Sequence, residues 1–572
     1  MASLAVTTTS CGDFLDQESD RVIYADKDHL DNASDTLYSV MGIVNKMQSL
    51  ADRTILLGEV RGDLCDINNY TSSDLRDVAL FNVNDSNKYN NPRDYYAVIN
   101  NCNYFIAKVD TGLKNNRNEY IFMKEYAAVK AYRAWTYLQL VLNYGKVPFV
   151  TDPVLSETDA EKTYPIYGIT DVCDYFIKDL TPLVNVETPS YGTIRNTDSK
   201  LFYFPIRILL GDLNLWAGHY KESALWYYRY LDNRTGTNSV SPTTTNGVSW
   251  STNDSHWLMT ISTYLNGITT ESYGTNPEYI TMIPGDSIPS EGNYSELRNL
   301  FNSTTSNNNH YSLTPSEGLK ELSKSQVYCH MDKLGNITYP PKNIGNNQDG
   351  DLRLSHWYRS RNLTVNSERV DLQTIYKYDS RNVRIYRQTM VYLRMAEALN
   401  RAGYPRFAFQ ILKTGVNNQV MTDSIIPYYK NDSTWLRQFD FPTDKYVLRT
   451  QAGDFKENTM GLHSRGSGWT DLNAYYVYPK AEGTDSLATE ITSVEDLIMN
   501  EEGLEFALEG YRYYDLMRVA LRRGDPSYLA NHIYERKGAA NVGTMKSLIK
   551  TNLLDSKNWF LSWNGKLGYN VK

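Results

Sequence analysis

The sequence lacks the long apolar run that a membrane-spanning helix requires. Such a helix needs about 18 consecutive apolar residues, and the richest stretch, Leu201–Leu210, is interrupted by Pro205 and Arg207. We therefore expect any attachment to a membrane to be made by a covalent lipid.

An excess of positive charge is also missing. The chain has 58 Lys and Arg against 66 Asp and Glu, a net charge of −8, and no block rich in Lys or Arg. Proteins that grip phosphate backbones carry clustered positive charge. Nucleic acid is therefore excluded as a partner.

Cysteines are few and scattered. The five, Cys11, Cys65, Cys102, Cys173 and Cys329, form no CxxC pair and no grouping with histidine at metal-ligand spacing. This pattern argues against a disulfide scaffold and against a zinc module. The sequence alone leaves open whether Cys65 and Cys102 pair.

Catalytic and cofactor motifs are absent as well. The eight histidines form no HExxH, and no GxSxG, GxGxxG or Walker-type phosphate loop occurs. We therefore expect a protein without catalytic residues and without a cofactor. The acidic clusters Asp26–Asp31 and Asn346–Asp351 favour solvated turns, because both lack the terminal Glu of a calcium loop; a structural calcium is the alternative.

Three glutamates, Glu501, Glu505 and Glu509, follow one another at four-residue steps. On a helix they share one stripe, whereas glycoside hydrolysis needs two carboxylates that face each other across a sugar. We therefore predict a structural ion network, in which cations relieve the repulsion at this spacing. The local cations are four arginines, Arg512, Arg518, Arg522 and Arg523.

Helical periodicity is abundant. Apolar residues recur at three- and four-residue steps from Glu119 to Tyr144, which predicts an amphipathic helix that ends at Gly145. The stretches 209–228 and 392–412 each read as two helices around a turn, with Gly218 and Gly403 at the turns. We predict a mainly α-helical fold.

The two helix pairs share a spacing. An aromatic residue follows each turn (Tyr220 and Tyr404), and an alanine lies four residues further on (Ala224 and Ala408). This spacing is typical of tetratricopeptide-type helix pairs. Because the pairs are irregular and far apart, they predict a scaffold and not a uniform solenoid.

The composition changes between residues 232 and 385. This part is rich in Ser, Thr, Asn, Gly and Pro, which predicts loops and short strands. We divide the chain into a residual export signal (1–10), a helical scaffold (11–231), a loop-rich insert (232–385) and a helical and loop region (386–572). All are expected to form one compact unit, with binding residues on the loops.

Cys11 follows a short apolar run and small residues, and it precedes Gly12 and Asp13. This arrangement is typical of a bacterial lipoprotein, whose mature chain begins at a lipid-bearing cysteine. Because the apolar run is short and no Lys or Arg precedes Cys11, we expect the natural chain to start further upstream. A buried or reactive thiol is the alternative.

Four segments occur in a suggestive order: CGDFLDQES (Cys11–Ser19), KAYRAWTYLQLVLNYGKVPFVTDPV (Lys130–Val154), YLRMAEALNRAG (Tyr392–Gly403) and EEGLEFALEGYRYYDLMRVALRRGD (Glu501–Asp525). Together they resemble the SusD/RagB family of outer-membrane lipoproteins. The resemblance implies a helical scaffold with tetratricopeptide-like pairs and a loop-rich variable part. It also implies a protein without catalytic activity that caps a TonB-dependent barrel and helps it capture glycans or peptides.

The last segment departs from the family pattern. It carries Leu504 and Ala507 where family members often have a more basic or bulky stretch. We therefore expect the general function of the family to apply to this chain more safely than the ligand of any family member.

Candidate ligand-binding residues lie in the segment Glu59–Asp77. It combines planar polar groups with an aromatic ring, as sugar binding requires, and the resemblance implies that this region lies near the ligand cleft. We predict Arg61, Asp63, Asn68 and Tyr70 as ligand contacts. An ordinary loop is the alternative.

The chain has 46 Tyr and 10 Trp, and three aromatic residues in loop-rich parts are further candidates. A tryptophan in such surroundings is either a small local core or an exposed stacking platform. We predict a platform first at Trp357, beside Tyr358, and second at Trp469.

These observations favour a lipid-anchored, non-enzymatic protein on the cell exterior. It would bind extracellular glycan and deliver it to a SusC-like TonB-dependent barrel in the outer membrane. Peptide uptake by the same kind of assembly is the alternative, and a surface glycosidase is the second alternative.

Replacing Cys11 by Ala is expected to move the protein from the membrane fraction to the soluble fraction, because the lipid is its expected anchor. The measurement is fractionation of cells that lack the barrel partner. A Cys11→Ala protein that still partitioned with membranes would contradict the anchor.

Overall fold

The computed structural model describes most of the chain, namely residues 33–232, 243–244, 249–253, 256–260, 269, 271, 278–285, 294–331, 334–340, 350–378, 380–441, 448–449, 461–541, 543–565 and 567. Cys11 and the expected export signal lie outside the described residues. No helix in the described part is long and apolar enough to cross a membrane.

Fourteen described helices have seven or more residues. They are α1 (Ala33–Glu59), α2 (Ser73–Ala79), α3 (Pro92–Lys108), α4 (Met123–Tyr144), α5 (Ile169–Leu180), α6 (Ile206–Ala217), α7 (Tyr220–Leu231), α8 (Glu317–Ser325), α9 (Gln388–Arg401), α10 (Pro405–Lys413), α11 (Ser486–Phe506), α12 (Arg512–Arg523), α13 (Pro526–Tyr534) and α14 (Gly543–Leu553). Shorter helices span Glu157–Ala160, Leu297–Phe301, Arg353–Trp357, Asn418–Val420, Ile426–Tyr428, Ser433–Leu436 and Ser464–Ser467.

The strands of the described part are mostly short, with five residues or fewer, and only two of them, Tyr358–Val365 and Glu368–Ile375, have eight residues. They are β1 (Cys65–Ile67), β2 (Lys146–Pro148), β3 (Ile166–Gly168), β4 (Thr193–Ile194), β5 (Thr197–Asp198), β6 (Thr243–Thr244), β7 (Ser249–Asn253), β8 (His256–Thr260), β9 (Tyr279–Ile283), β10 (Leu313–Pro315), β11 (His330–Met331), β12 (Ile337–Thr338), β13 (Tyr358–Val365), β14 (Glu368–Ile375), β15 (Val383–Arg387) and β16 (Leu448–Arg449).

These strands form two-stranded sheets. The pair β6–β16 is parallel, and the pairs β1–β10, β2–β3, β4–β5, β7–β8, β9–β15, β11–β12 and β13–β14 are antiparallel. The prediction of a mainly α-helical fold with short strands in its loop-rich part is confirmed. Two sheets, β1–β10 and β6–β16, join strands from different predicted portions of the chain, and strand β15 of the β9–β15 sheet crosses the predicted boundary after residue 385.

Successive helices pack against each other through much of the scaffold. In the series α3, α4, α5, α6 and α7, each helix contacts the next one. Helix α7 then contacts α9, α9 contacts α10, and α10 contacts α11. Helix α1 packs on α3, α4 and α12. Most buried apolar side chains belong to one continuous core between these helices.

Both predicted helix pairs are present. Helices α6 and α7 join at Gly218, and α9 and α10 join near Gly403; both glycines have positive φ, 84° and 97°. Glycine suits these turns because it lacks the Cβ that penalises this conformation. Ala224 and Ala408 are fully buried where the paired helices meet.

The predicted helix from Glu119 begins later, at Met123, and ends at Gly145 as expected. Residues before it form a turn, with a bridge between Lys114 and Tyr120. The helix is buried on most of its surface, because α1, α3, α5 and α6 all pack against it. The helix is therefore buried on more of its surface than the single apolar face that an amphipathic pattern predicts.

The described cysteines are free and buried: Cys65, Cys102, Cys173 and Cys329. Cys65 and Cys102 therefore do not pair, and they serve as small apolar core residues.

Gly58 and Gly42 lie on the same helix, α1, in different surroundings. A Cβ at Gly58 would lie 1.8 Å from the carbonyl oxygen of Gly510, whereas a Cβ at the exposed Gly42 would meet nothing within 4 Å. Gly58→Ala is expected to lower the free energy of unfolding by about 1–3 kcal/mol or more, because the backbone at Gly510 must shift.

Gly42→Ala is the matched control for this experiment. It is expected to raise the free energy of unfolding by about 0.5–1 kcal/mol, because alanine favours a helix interior. Denaturant unfolding of both variants measures the difference. Equal midpoints would contradict the close approach of α1 to the turn at Gly510.

Candidate functional site

The predicted segment Glu59–Asp77 changes character along its length. Residues 59–67 are buried, whereas most of the loop that leads into α2 is partly or fully exposed. The four candidate residues of this segment therefore divide into a buried pair and a loop pair.

Arg61 belongs to the buried pair, with 1% of its surface exposed. Its Nε donates to the carbonyl oxygen of Leu57 at 2.8 Å, and its Nη2 donates to Oδ1 of Asn143 at 2.7 Å. The guanidinium also lies 4.1 Å from the ring centre of Tyr513. Arg61 therefore connects the end of α1 with α4 and α12.

Asp63 is the second buried candidate. Arg512 donates to both of its oxygens, from Nε to Oδ1 at 2.6 Å and from Nη2 to Oδ2 at 2.9 Å. Burial raises the pKa of Asp63, but the charge and hydrogen bonds of Arg512 outweigh burial and leave the pKa lowered. This bidentate pair occupies both oxygens of Asp63, so the carboxylate holds α12 against the end of α1.

The loop pair is positioned by the β1–β10 sheet. Ile67 of β1 lies opposite Leu313 of β10, so the loop after β1 runs beside the chain that enters β10. Asn68 Nδ2 donates to the carbonyl oxygen of Tyr311 at 3.0 Å. Asn68 thus fastens two loops that are 243 residues apart in sequence.

Tyr70 and His310 form an exposed aromatic pair on these two loops. Their ring centres are 3.9 Å apart and their planes differ by 10°, so the rings stack. Tyr70 keeps 59% of its surface exposed although His310 covers one ring face. The opposite face therefore remains open to solvent, and we call these two residues the Tyr70–His310 pair.

Tyr358 also meets the chain that enters β10. Its hydroxyl lies 3.1 Å from Oγ1 of Thr314, and its ring is partly buried against the core. Three predicted residues, Asn68, Tyr70 and Tyr358, therefore flank residues 310–314.

His310 was missed by the sequence reasoning. The signal available was a His–Tyr pair after three asparagines, NNNHY, in a Ser- and Asn-rich stretch. Nothing local connects this stretch with Tyr70, because the connection is the register of β1 on β10.

Trp357 does not form an exposed platform, and that prediction is wrong. Its side chain is fully buried in the main core, and the ammonium of Lys377 lies 4.9 Å from its ring centre. The short helix Arg353–Trp357 packs on α8 and α11, which turns the indole inward.

Trp469 is likewise buried, with 3% of its surface exposed. It forms a small satellite core with Cys329, against which Met331, Tyr339 and Leu472 pack. The local-core alternative is therefore correct for this residue, and the prediction of a platform is wrong.

The three glutamates at four-residue steps, Glu501, Glu505 and Glu509, are buried. Glu501 and Glu505 lie near the end of α11, and Glu509 follows that helix. Their exposed fractions are 1%, 0% and 6%. They face ion-pair partners, so they do not form the opposed, accessible carboxylates that a hydrolase needs.

Glu505 is at the centre of a buried ion network. Its carboxylate accepts hydrogen bonds from Arg353 at 2.8 Å, from Arg387 at 2.7 Å and from Arg465 at 2.6 Å. We define the Glu505 network by its ionisable members: Glu278, Asp351, Arg353, Lys377, Arg387, His463, Arg465, Glu501, Glu505 and Glu509.

The two flanking glutamates are ionised. Burial raises the pKa of Glu501, but Arg353 and His463 outweigh it and leave the pKa at about 2. Burial likewise raises the pKa of Glu509, and Arg387 and Lys377 bring it to about 2. The prediction of a structural ion network is confirmed.

The partners expected for these glutamates are not the observed ones. Arg512 binds Asp63. The other three arginines of α12 bind acidic residues of α9, α11 and α12 itself. Arg518 binds Glu397 and Asp515, Arg522 binds Glu397 and Glu495, and Arg523 binds Glu495 and Asp496. The cations of the Glu505 network come from distant segments instead.

The described residues contain no group of three or more His, Cys, Asp or Glu side chains arranged to hold a metal ion. Asp351, the end of the second acidic cluster, binds Arg353 through both oxygens, at 3.0 and 2.8 Å. Residues 346–349 and the cluster Asp26–Asp31 lie outside the described part.

The fold places the chain among SusD-like structures. A SusD superfamily protein from Bacteroides thetaiotaomicron aligns with a TM-score of 0.55 and 15% identity over 91% of this chain and 93% of that chain. Another from Bacteroides vulgatus aligns with a TM-score of 0.52 and 13% identity over 94% and 100%. Surface glycan-binding protein A from Bacteroides uniformis aligns with a TM-score of 0.51 and 15% identity over 90% and 95%.

No protein-family model and no curated protein matches the sequence. At 13–15% identity the structural likeness establishes the fold. The resemblance expected from the four sequence segments is confirmed at that level.

Glu505→Gln is expected to lower the free energy of unfolding by about 3–5 kcal/mol, because it leaves three buried arginines short of a counter-charge. Glu317→Gln is the control: it breaks the exposed pair of Glu317 with Lys320 and is expected to cost at most about 1 kcal/mol. Denaturant unfolding of both proteins tests this, and a Glu505→Gln protein as stable as the control would contradict the role of the network.

Proposed function

We propose that this chain is a non-catalytic glycan-binding protein of the SusD/RagB family. The single observation that carries the proposal is the Tyr70–His310 pair on a SusD-like fold. An exposed stacked ring pair is a natural partner for a sugar, because the apolar C–H face of a pyranose packs on an aromatic face.

Polar groups beside the rings suit the hydroxyls of a sugar. Asn69 is exposed next to Tyr70, and Asn308 and Asn309 are exposed next to His310. Amide side chains both donate and accept hydrogen bonds, so they can pair with vicinal hydroxyls. Asn68 keeps its place in the loop and supports the pair, since its side chain already binds the chain on both sides.

The cellular setting is part of the proposal. Cys11 carries the lipid, the protein faces the cell exterior at the outer membrane, and a SusC-like TonB-dependent barrel is its partner. Glycan captured by stacking and hydrogen bonds is handed over when the protein closes on the barrel. The sequence resemblance supports these statements, and the glycan ligand is further supported by a structural neighbour named as a surface glycan-binding protein.

Tyr70→Ala and His310→Ala are each expected to weaken glycan binding about tenfold or more, which corresponds to about 1.4 kcal/mol. Tyr70→Phe keeps the ring and is expected to retain binding within about twofold. The measurement is calorimetry of the full chain against a panel of polysaccharides and oligosaccharides, followed by the best ligand for each variant.

Tyr120→Ala is the matched control, because Tyr120 is an equally exposed tyrosine on another turn, with 52% of its surface exposed. Its binding is expected to equal that of the parent. Unchanged binding by both Tyr70→Ala and His310→Ala would reject the pair as the glycan site. Binding of peptides in place of glycans would favour the uptake alternative, and turnover of any oligosaccharide would overturn the non-catalytic assignment.

A further inference from the structure

A cavity of about 810 Å³ lies between the end of α4 and the C-terminal segment of the chain. Its size falls within the range of small-molecule sites, about 300–1,000 Å³. Aromatic side chains form much of its wall: Phe81, Tyr144, Trp559, Phe560 and Trp563. It shares no lining residue with the Tyr70–His310 pair.

Hydrogen bonds and packing fix residues 559–561, which form one wall of the cavity. The Leu561 amide donates to the carbonyl oxygen of Asn143 at 2.8 Å, and Trp559 Nε1 donates to the carbonyl oxygen of Leu553 at 2.7 Å. Phe560 packs directly on Gly145, where a Cβ would lie 2.9 Å from its ring. The aromatic wall is therefore fixed in place by the helix on which it rests.

The charged side chains that line the cavity are all basic. Acidic side chains lie beside it: Asp85 accepts a hydrogen bond from the lining residue Ser562, and Asp555 accepts one from the amide of Lys557. The basic lining residues are Arg61, Lys146 and Lys557, and among the residues that the structure describes no Asp or Glu lines the cavity. The lining is therefore positively charged although the whole chain has a net charge of −8. Lys146 and Lys557 are exposed, so they can turn toward a ligand that enters.

Arg61 contributes a buried charge to this wall. Its hydrogen-bond acceptors are neutral: the carbonyl oxygens of Leu57 and Trp559, the Asn143 side chain and the Tyr514 hydroxyl. Within the described part it makes no ion pair, unlike the equally buried Arg353, which binds three carboxylates.

A buried cation without a counter-charge favours an anion nearby, because the low dielectric of the interior strengthens their attraction. An anion that entered the cavity would meet the field of Arg61 at the wall. The two exposed lysines would add to this attraction.

We propose that this cavity is a second binding site, which takes an acidic sugar residue of the uronate type. The sugar ring packs on the aromatic wall, and its carboxylate faces the positive charge of Arg61, Lys146 and Lys557. Asn552, Ser556, Asn558 and Ser562 line the same cavity and offer hydrogen bonds to hydroxyls. This site stands independently of the Tyr70–His310 pair.

The test compares oligogalacturonate with its neutral methyl ester in calorimetry of the full chain. The parent is expected to bind the acidic form and to bind the ester at least about tenfold more weakly, with an affinity that falls as salt screens the charges. Equal affinity for the two forms, or no binding of the acidic form, would overturn the proposal.

Two double variants of equal net charge locate the site. Lys146→Glu with Lys557→Glu is expected to weaken binding of oligogalacturonate at least about tenfold, because it places negative charge at the cavity. Lys178→Glu with Lys480→Glu changes two exposed lysines that do not line the cavity, and its affinity is expected to equal that of the parent. Equal losses in both double variants would contradict the site.

Two further measurements separate this proposal from others. Binding of oligogalacturonate by the Tyr70→Ala protein is expected to equal that of the parent, and its loss would assign the acidic sugar to the Tyr70–His310 pair instead. A glutamate oligopeptide is expected to bind at least about tenfold more weakly than oligogalacturonate, because it lacks the sugar face. Equal binding of the peptide would overturn the sugar assignment.

Discussion

The buried ion network around Glu505 is the constraint on which the rest of the structure depends. Arg353, Arg387 and Arg465 come from separate parts of the chain and meet at one carboxylate on α11. Because buried charges are tolerated only when they are paired and hydrogen-bonded, these segments must assemble together. The network thus joins the loop-rich middle part of the chain to the helices that follow it.

The same constraint separates stability from recognition. Charged residues that could have served chemistry, such as Glu501, Glu505 and Asp63, are committed to arginines in the interior. The proposed recognition site lies instead on surface loops, where two short strands with fixed register bring Tyr70 and His310 into contact. When binding residues lie on loops of a rigid helical scaffold, substitutions in the loops can alter ligand specificity while the residues of the core stay the same.

The helices and their turns could be predicted because their signals are local. The spacing around Gly218 and Gly403 reflects the contacts of residues a few positions apart, and the structure has both turns. The spacing of the three glutamates predicts a structural ion network. It does not predict which cations pair with them, since Arg353 lies about 150 residues from Glu505 in sequence. The burial of Trp357 is not predictable for a similar reason, because its loop-like neighbours in sequence are not its neighbours in space.

The sequence by itself determined the helical class, the glycine turns and the resemblance to SusD-like proteins, because periodicity, composition and motif order are local or additive properties of a chain. Only the tertiary structure decided which aromatic residues are exposed, which carboxylates are bound and which cations line the cavity beside α4. Burial and pairing depend on contacts between segments hundreds of residues apart, and a strand register such as that of β1 on β10 is set by the whole fold.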